Sequence, residues 1–464
     1  MCALLIPNLA HAQAAPGAGT VDNPYLISTP AQLDAVRNDK TAHYKLVANI
    51  NLADYLSSGG DGYNSGAGWQ PIGAVGPSNN LDLNAFKGTF DGNGHTISGL
   101  FINNTNTNTS LSSLFGRLGS GAVVKDLGVT DVNITSAGTY VGAIAGRLND
   151  NSLITGCYTS GTISTNSSTS YVYAGGIVGY AENSSRIENC HSLCTVSTSG
   201  VYAGGIAGYI ESGSVITNCY ATGSITGYYY VGGVVGVWGE NCIVQNSVAA
   251  NGSITLTAGS SERCRRIGTR SLGSIITGNN YANSGMTVNI TASQTASENQ
   301  DGIGKTLAEL QTEAFYTTSG NWYNGEAWDF ENVWAMDEVN SLPLLLWQYN
   351  ADDEVAPLLS LPLSGRVSHT EVIIGFTTGE AGTAYCLVLE PGATPPSASE
   401  VHAAYLLGTA AAGAITKTIT LTEGAKDVYV VVEDRKGNIS EPLLIAVAAF
   451  DPANAGIRIN GGTP

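Results

Sequence analysis

The sequence predicts an all-β protein in which a right-handed parallel β-solenoid, also called a β-helix, is followed by a β-sandwich. Two observations predict the solenoid: a seven-residue motif returns every 28–33 residues, and aliphatic residues keep fixed offsets from each copy. A third observation predicts the sandwich. After about residue 350 the period is lost, and strand-like runs alternate with turn residues.

The repeated motif is a tyrosine, small residues, an isoleucine or valine, and a closing glycine. Its clear copies are YVGAIAG from Tyr140, YAGGIVG from Tyr173, YAGGIAG from Tyr202 and YVGGVVG from Tyr230, with a weaker copy, SLSSLFG, from Ser110. The closing glycines lie 30, 33, 29 and 28 residues apart, at Gly116, Gly146, Gly179, Gly208 and Gly236. A period of this length is typical of proteins built from stacked repeats.

An aliphatic residue follows each closing glycine by eight positions: Val124, Ile154, Ile187, Ile216 and Val244. Their largely β-branched side chains suit strands, and the Gly, Ser, Thr and Asn between them suit turns. Helical repeats of this length need segments rich in Ala, Leu, Lys and Glu, which are missing here. Stacked coils would place these residues in an internal ladder, and the right-handed preference of parallel crossovers predicts a right-handed coil.

The first residues predict export. Residues 1–14 are interpreted as the remnant of a secretory signal peptide, because a short apolar run precedes AHA, an A-x-A-like cleavage site that ends at Ala12. The basic residues that usually open such a signal are missing. No later stretch is long and apolar enough to span a bilayer. The sequence therefore predicts a secreted or cell-surface protein without an integral membrane segment.

Residues 15–110 are predicted to form the N-terminal part and cap of the solenoid. A helix is expected to open near Ser28 or Thr29, and YKLVANINL alternates like a strand. The sequence DGNGH, from Asp91 to His95, is predicted to be a turn between two apolar strands. Residues 111–254 are the repeat coils. Residues 255–350 are predicted to hold the last irregular coils and an aromatic C-terminal cap that contains Trp322, Trp328, Trp334 and Trp347.

Several of these segments together resemble one family. Over about residues 20–350, the chain resembles the GLUG-motif proteins of bacteria. The segments that carry the resemblance are WQPIG, FKGTFDGNGHTISGL, SLFG and the repeated GGIVG pattern. The resemblance implies a β-solenoid in an exported surface protein, adhesin-like or serving as a stalk, and it implies no catalytic residues. GLUG repeats also occur in non-catalytic parts of some IgA-cleaving peptidases.

The C-terminal part is predicted to be a separate domain. Residues 354–450 contain strand-like runs such as TAYCLVLE and DVYVVVEDRKGNIS, and a capping box from Ser397 to Glu400 that predicts a short helix. About 100 residues of this kind fit a β-sandwich. The pattern is similar to bacterial immunoglobulin-like or fibronectin-type-III-like modules. Residues 451–464 are interpreted as a tail or linker.

Composition excludes some partners. The chain carries 37 acidic and 19 basic residues, a formal net charge of −18, and such a surface repels nucleic acids. The one basic cluster, RCRR from Arg263 to Arg266, is predicted to be a solvated loop. Cys157, Cys190 and Cys219 share one offset, which predicts a buried ladder of free thiols. No cysteine and histidine set has zinc spacing, so no metal or cofactor is expected.

The sequence predicts that the chain is not an enzyme. Hydrolases need two carboxylates that face one cleft, and lyases need a base with a charge-neutralising cation. The carboxylates of the repeats do not all share one offset, and no H-E-x-x-H motif is present. Because β-solenoids include polysaccharide-active enzymes, a lyase or hydrolase remains an alternative.

One row of aromatic residues is the candidate ligand-binding site. Four tyrosines lie six residues before a closing glycine: Tyr140, Tyr173, Tyr202 and Tyr230. A second row holds Tyr158, His191 and Tyr220. Stacked rings stabilise a coil, which alone could explain both rows. The first row could also form a strip on which the apolar faces of sugars pack.

The function predicted from the sequence is that of an exported bacterial surface protein, adhesin-like or a presenting stalk. Its repeat array is expected to bind a surface glycan or an extracellular protein. A second alternative, beside the enzyme, is a structural spacer or filament subunit, since strand pairing at the end of one solenoid can continue into another molecule.

Overall fold

The chain forms two compact units, Met1–Tyr349 and Asn350–Pro464. The computed structural model describes residues 15–73, 84–107, 110–167, 171–258, 263–271, 278–289, 298–336, 342–349, 356–379, 382–410, 413–434 and 438–451. The predicted signal remnant lies outside the described residues, as does all but the first residue of the predicted tail. The first unit is a parallel β-solenoid and the second consists of antiparallel sheets, so the predicted fold class is confirmed.

Three parallel sheets run along the solenoid. The tyrosine sheet is formed by Leu111–Ser112, Tyr140–Gly142, Tyr173–Gly175, Tyr202–Gly204, Tyr230–Gly232 and Cys264–Arg265. The glycine sheet is formed by Phe115–Leu118, Ala145–Leu148, Val178–Ala181, Ala207–Ile210, Val235–Trp238 and Thr269–Arg270. Each coil contributes one short strand to each of these sheets and its remaining strands to the third, which is called the long sheet.

The long sheet begins with the strands that precede the repeats: Tyr25–Ile27, Tyr44–Leu46, Ile50–Asn51, Thr89–Ser98 and Phe101–Asn104. The repeats then supply Val123–Ser136, Leu153–Thr155, Tyr158–Thr165, Arg186–Glu188, His191–Ser192, Thr195–Thr198, Val215–Thr217, Tyr220–Ala221, Ile225–Gly227, Ile243–Gln245, Val248–Ala249, Ser253–Leu256, Tyr281–Asn283, Thr287–Val288 and Ile303–Lys305. Short helices precede the repeats at Pro30–Ala35, Val36–Asn38, Ala53–Leu56 and Asn64–Gly66. The first of them begins after Thr29, whose hydroxyl accepts from the backbone N–H of Gln32, as the sequence predicts.

The predicted aliphatic ladder forms the core of the column. Ile154 pairs in register with Val124 on one side and Ile187 on the other, and Ile216 continues the row. All four side chains are fully buried. Since in-register residues of parallel strands point to the same face, one buried position per repeat becomes a continuous apolar stack.

The glycines of the motif allow strands of neighbouring coils to touch. A Cβ at Gly179 would lie 2.7 Å from the backbone nitrogen of Val141, and one at Gly208 would lie 2.6 Å from that of Ala174. Both contacts are closer than real Cβ atoms come to a neighbour. The glycine sheet therefore packs against the tyrosine sheet backbone to backbone, and only glycine fits there.

The corners of the coils use asparagine in the left-handed backbone region. Asn189, Asn218 and Asn246, each directly before the residue at the cysteine offset, have φ values of 51°, 51° and 50°. Asparagine adopts this conformation more readily than most residues other than glycine. The Nδ2 of Asn218 also donates to the Oδ1 of Asn189 at 3.2 Å, so the corners of neighbouring coils are linked.

The predicted row of buried thiols is confirmed. Cys157, Cys190 and Cys219 are fully buried and free in the structure. The Sγ of Cys190 donates to the carbonyl oxygen of Glu188 at 3.0 Å and to that of Ile154, one coil earlier, at 3.7 Å. Burial raises the pKa of the Cys157 and Cys190 thiols well above the usual value, which keeps them protonated and unreactive.

The column extends beyond the last recognisable motif. Arg265 pairs in register with Gly232. Its side chain forms an ion pair with Asp301 at 3.1 Å, and Asp301 is only 2% exposed. The prediction of a solvated loop for RCRR is therefore wrong: these residues belong to the last described coil. The motif is hidden there because arginine replaces its small residues, while the backbone pairing continues.

The DGNGH segment also differs from the prediction. Thr89–Ser98 is a single strand, and the chain does not reverse. Asp91 pairs with Lys125, and His95 pairs with Leu127. Four residue steps on this strand therefore lie opposite two steps on its neighbour, so this strand contains a bulge. The positive φ values of Asn93 and Gly94, 49° and 77°, absorb the extra residues without a turn.

The aromatic segment lies along a flank of the column. This part of the chain begins with five short helices: Glu298–Asp301, Leu307–Leu310, Glu313–Thr317, Ser319–Asn321 and Tyr323–Gly325. A strand pair follows, Trp334–Ala335 with Leu344–Leu345, and then the helix Leu346–Tyr349. The indole of Trp328 donates to the carbonyl of Asn246 at 3.1 Å, and the indole of Trp347 donates to that of Gly156 at 3.1 Å. The predicted cap thus covers the sides of several coils.

The second unit contains two antiparallel sheets. The first sheet consists of Leu359–Arg366, Glu371–Thr378 and Gly413–Thr420. The second sheet consists of Tyr405–Ala410, Gly382–Leu389, Lys426–Asp434 and Leu443–Val447. Buried side chains of both, such as Ile374 and Val430, share one apolar cluster, so the sheets pack face to face. The helix Ala398–His402 begins with the predicted capping box.

Candidate functional site

The candidate site is the strip of tyrosines on the tyrosine sheet. Tyr173 pairs in register with Tyr140 and Tyr202, and Tyr202 pairs with Tyr230. All four side chains are half-buried. The structure therefore brings together the four residues that the sequence predicts, on one face and partly open to solvent.

The four rings form a parallel stack. Their centroids are 5.3 Å apart from Tyr140 to Tyr173, 4.8 Å from Tyr173 to Tyr202 and 5.4 Å from Tyr202 to Tyr230, with interplanar angles of 8° or less. The spacing follows from the distance between paired strands, about 4.8 Å. Aromatic stacking adds roughly 0.5–1.5 kcal/mol per pair to the burial of each ring.

This geometry limits how the strip can contact a ligand. Because each inner ring is stacked on its neighbours, its faces lie largely against other rings. What the strip offers to solvent is a row of ring edges and phenol hydroxyls. The mode expected from the sequence, in which sugars pack on ring faces, is therefore disfavoured at the inner rings.

A second row of tyrosines supports the first from the side. Tyr180 and Tyr209 stack on each other at 5.6 Å, and the ring of Tyr173 lies edge-on to them at 5.1 and 5.8 Å. Both directly follow a closing glycine, a spacing that could have identified them as part of the site. The hydroxyl of Tyr180 donates to the carboxylate of Glu211.

Three hydroxyls at the site, those of Tyr173, Tyr180 and Tyr209, stay protonated at neutral pH. Burial, together with the neighbouring rings of Tyr202 and Tyr140, raises the pKa of Tyr173 to about 12. Burial and the carboxylate of Glu211 raise the pKa of Tyr180 and of Tyr209 further. Each phenol is therefore a neutral group that both donates and accepts a hydrogen bond.

Arginines lie at both ends of the strip. The guanidinium carbon of Arg147 is 5.3 Å from the ring centre of Tyr140, and its side chain forms an ion pair with Glu182. At the other end, the guanidinium carbon of Arg263 is 5.0 Å from Tyr230 and 3.8 Å from Tyr229. These cation–π contacts fix the outer rings.

In the second predicted row, His191 and Tyr220 are buried and not available to a ligand. His191 stacks on Tyr158 at 5.2 Å and on Tyr220 at 4.7 Å, as expected for a ladder. The aromatic segment covers this row: the hydroxyl of Tyr220 donates to the carbonyl of Pro343 at 2.7 Å. His191 is buried, and its Nε2 lies 2.7 Å from the Oε1 of Gln348.

Two features are absent from the part of the chain that the structure describes. No group of three or more His, Cys, Asp or Glu side chains there could hold a metal ion. None of the helices there is long and apolar enough to cross a membrane.

Comparison with known families explains the repeated motif. The model of the GLUG motif matches residues 170–197 and 199–226. These are GLUG repeats. Each matched repeat contains one tyrosine of the strip, Tyr173 or Tyr202, together with its glycines.

Two curated relatives share part of this region. The chain is 42% identical over 135 residues to a "Putative Gly-rich membrane protein" of Evansella cellulosilytica, a match that covers 28% of this chain and 14% of that protein. It is 38% identical over 138 residues to halomucin of Haloquadratum walsbyi, covering 28% of this chain and 1% of halomucin. The matches therefore span only a small part of each relative.

One solved structure is similar over most of the chain. It is the crystal structure of a "putative immunoglobulin A1 protease" from Bacteroides ovatus. The match has a TM-score of 0.53 and 26% sequence identity, and it covers 71% of this chain and 94% of that one. The two proteins share a β-solenoid fold.

Proposed function

We propose that the chain is an exported surface protein that binds a neutral glycan chain along its tyrosine strip, without catalysing a reaction. The observation that carries the proposal is the unbroken, half-buried stack of Tyr140, Tyr173, Tyr202 and Tyr230 on one face. A row of equal groups at a spacing of about 5 Å favours an extended, repetitive ligand over a compact one.

The chemistry of the strip suits a sugar chain. A phenol hydroxyl can both donate and accept a hydrogen bond, as a sugar hydroxyl does. The ring edges between them are apolar and can pack against the C–H groups of a sugar. Each contact would be weak, and several along one chain would add to a useful affinity.

The surface location is supported by three observations. The relatives are described as a Gly-rich membrane protein and as halomucin. The first residues resemble the end of a signal peptide, and the net charge of −18 suits a soluble extracellular surface. On this proposal the solenoid is the binding element of an adhesin-like protein or a presenting stalk.

The second unit is proposed to be an immunoglobulin-like module. Numbered in chain order, its described strands form sheets in the order 1-2-5 and 4-3-6-7. Immunoglobulin-type sandwiches place strands A, B and E in one sheet and C, F and G in the other. Strands 1, 2 and 5 match the first set, and strands 3, 6 and 7 match the second.

The test is a glycan array, followed by titration of the protein with the neutral polysaccharides that bind on the array. The double variant Tyr173→Ala/Tyr202→Ala should lose at least tenfold in affinity, and the matched control Tyr323→Ala, at an exposed tyrosine outside the strip, should not. Unchanged binding by the double variant, with an unchanged circular dichroism spectrum, would contradict the proposal.

The variant Tyr173→Phe/Tyr202→Phe separates hydroxyls from rings. Since the ring faces are covered by stacking, we expect the hydroxyls to carry much of the binding. The phenylalanine variant should therefore bind several-fold more weakly while it unfolds at nearly the wild-type temperature. Binding equal to that of the wild type would assign the contact to the rings.

A further inference from the structure

The tyrosine strip ends at a cleft whose described lining residues are uncharged. On the N-terminal side of Tyr140 the next in-register residue is Leu111, and the ring stack stops there. Leu111 lines a cleft of about 280 Å³. Because in-register residues of parallel strands point to the same face, the cleft and the strip lie next to each other on one surface.

The cleft is lined by amide side chains. Asn64, Gln70, Asn103, Asn104 and Asn106 contribute to its wall, and the described lining contains no charged residue. The Nδ2 of Asn104 donates to the hydroxyl of Ser112 at 3.2 Å, which holds this amide in place. Trp69, Pro71 and Ile102 supply an apolar part of the wall.

This lining selects a neutral ligand rich in hydrogen-bonding groups. An amide presents a donor and an acceptor in one plane, so a row of amides can bind a ring that carries several hydroxyls. A charged ligand would find no counter-charge among the described lining residues. The volume is at the lower limit of small-molecule sites, which fits a single sugar residue better than a chain.

Tyr140 is the ring of the strip that lies next to the cleft, because it pairs in register with Leu111. One face of its ring is covered by Tyr173. On the other side the next in-register residue is a leucine, so this face is not covered by a stacked ring of the ladder. The guanidinium of Arg147 lies over the ring of Tyr140, with its carbon 5.3 Å from the ring centre, so a sugar at this end would contact the ring edge and the phenol hydroxyl.

We infer that the cleft binds the terminal residue of the glycan whose following residues lie along the tyrosine strip. The protein would then recognise chain ends, whereas the strip alone would bind anywhere along a chain. This inference rests on the proposed function of the strip.

The experiment uses the full chain and size-fractionated neutral glycans: maltose-, cellobiose- and mannose-based oligomers and the corresponding polymers. Calorimetric titration gives the number of protein molecules bound per glycan chain. For the glycan that binds, we expect this number to stay near one as the chain lengthens. A number that rises in proportion to chain length would overturn the inference.

Two cleft variants test the same point by affinity. Ala67→Leu fills the cleft, and Asn103→Ala removes an exposed amide from a strand residue. Each should weaken binding of a hexasaccharide at least tenfold, whereas the control Asn133→Ala, at an exposed position on the neighbouring strand, should not. Two different changes guard against loss of fold in one of them.

The results separate the two proposals. If Tyr173→Ala/Tyr202→Ala loses binding while both cleft variants bind like the wild type, the inference is wrong and the strip remains the binding site. If no neutral glycan binds the wild-type chain, the proposed function fails and the inference fails with it.

Discussion

The glycines of the repeated motif are required because strands of neighbouring coils touch there through their backbones. We expect Gly208→Ala to destabilise the first unit by about 3 kcal/mol, since the new Cβ would lie 2.6 Å from the backbone nitrogen of Ala174, which cannot rotate away. Gly252→Ala is the matched control, because no heavy atom lies within 4 Å of its Cβ position. Chemical denaturation measures both, and equal midpoints would show that the sheets can separate without cost.

His191 makes the stability of the solenoid depend on pH. Burial lowers its pKa from 6.5 to about 4. Between these values the unfolded chain binds a proton that the folded chain does not, so stability falls as the pH falls from 6.5 to 4. The loss amounts to about 3 kcal/mol at 1.36 kcal/mol per pKa unit.

The variant His191→Gln measures this contribution. Because glutamine does not titrate, the difference in unfolding free energy between wild type and variant should shrink between pH 6.5 and pH 4. Subtracting the two curves removes the effect of all other titrating groups. A difference that is constant across this range would mean that His191 is protonated in the folded state.

At the scale of elements, the aromatic segment acts as a brace along the coils. The Trp328 side chain is 2% exposed, stacks within 4.6 Å of Trp334 and donates to the backbone of a coil. Trp328→Ala should therefore cost about 3–5 kcal/mol, the usual range for a buried aromatic. Tyr323→Ala, in the same segment but 36% exposed, should change stability little.

Limited proteolysis shows where the loss acts. If the segment braces the coils, Trp328→Ala should open new cleavage sites within residues 322–349 before the repeats are cut. Simultaneous cleavage throughout the first unit would show that the segment and the coils unfold together, which would contradict a separate brace.

At the scale of the whole molecule, the arrangement of charges favours binding over catalysis. A glycoside hydrolase needs two carboxylates free to face one bond. Beside the tyrosine strip, Glu182 is paired with Arg147, and Glu211 accepts the hydroxyl of Tyr180. We therefore expect no release of reducing or unsaturated sugar ends from neutral polysaccharides. Release that Glu182→Gln or Glu211→Gln abolishes would establish an enzyme.

The sequence by itself determined the solenoid and the strip. A period near 30 residues with β-branched residues at fixed offsets predicts stacked coils, because stacking buries those residues. Stacking alone then brings together Tyr140, Tyr173, Tyr202 and Tyr230. The thiol row follows for the same reason. These features depend on offsets within a repeat, and a sequence records offsets directly.

Only the tertiary structure decided which faces are open. Tyr220 and Tyr173 occupy similar rows in the sequence, but a segment more than 100 residues away covers Tyr220 and leaves Tyr173 half-exposed. The cleft beside Leu111 likewise joins residues from 64 to 112 that share no motif. Long-range packing depends on the shape of the surface and on the side of the coil to which a later segment returns. A periodic sequence pattern records neither the shape nor the side.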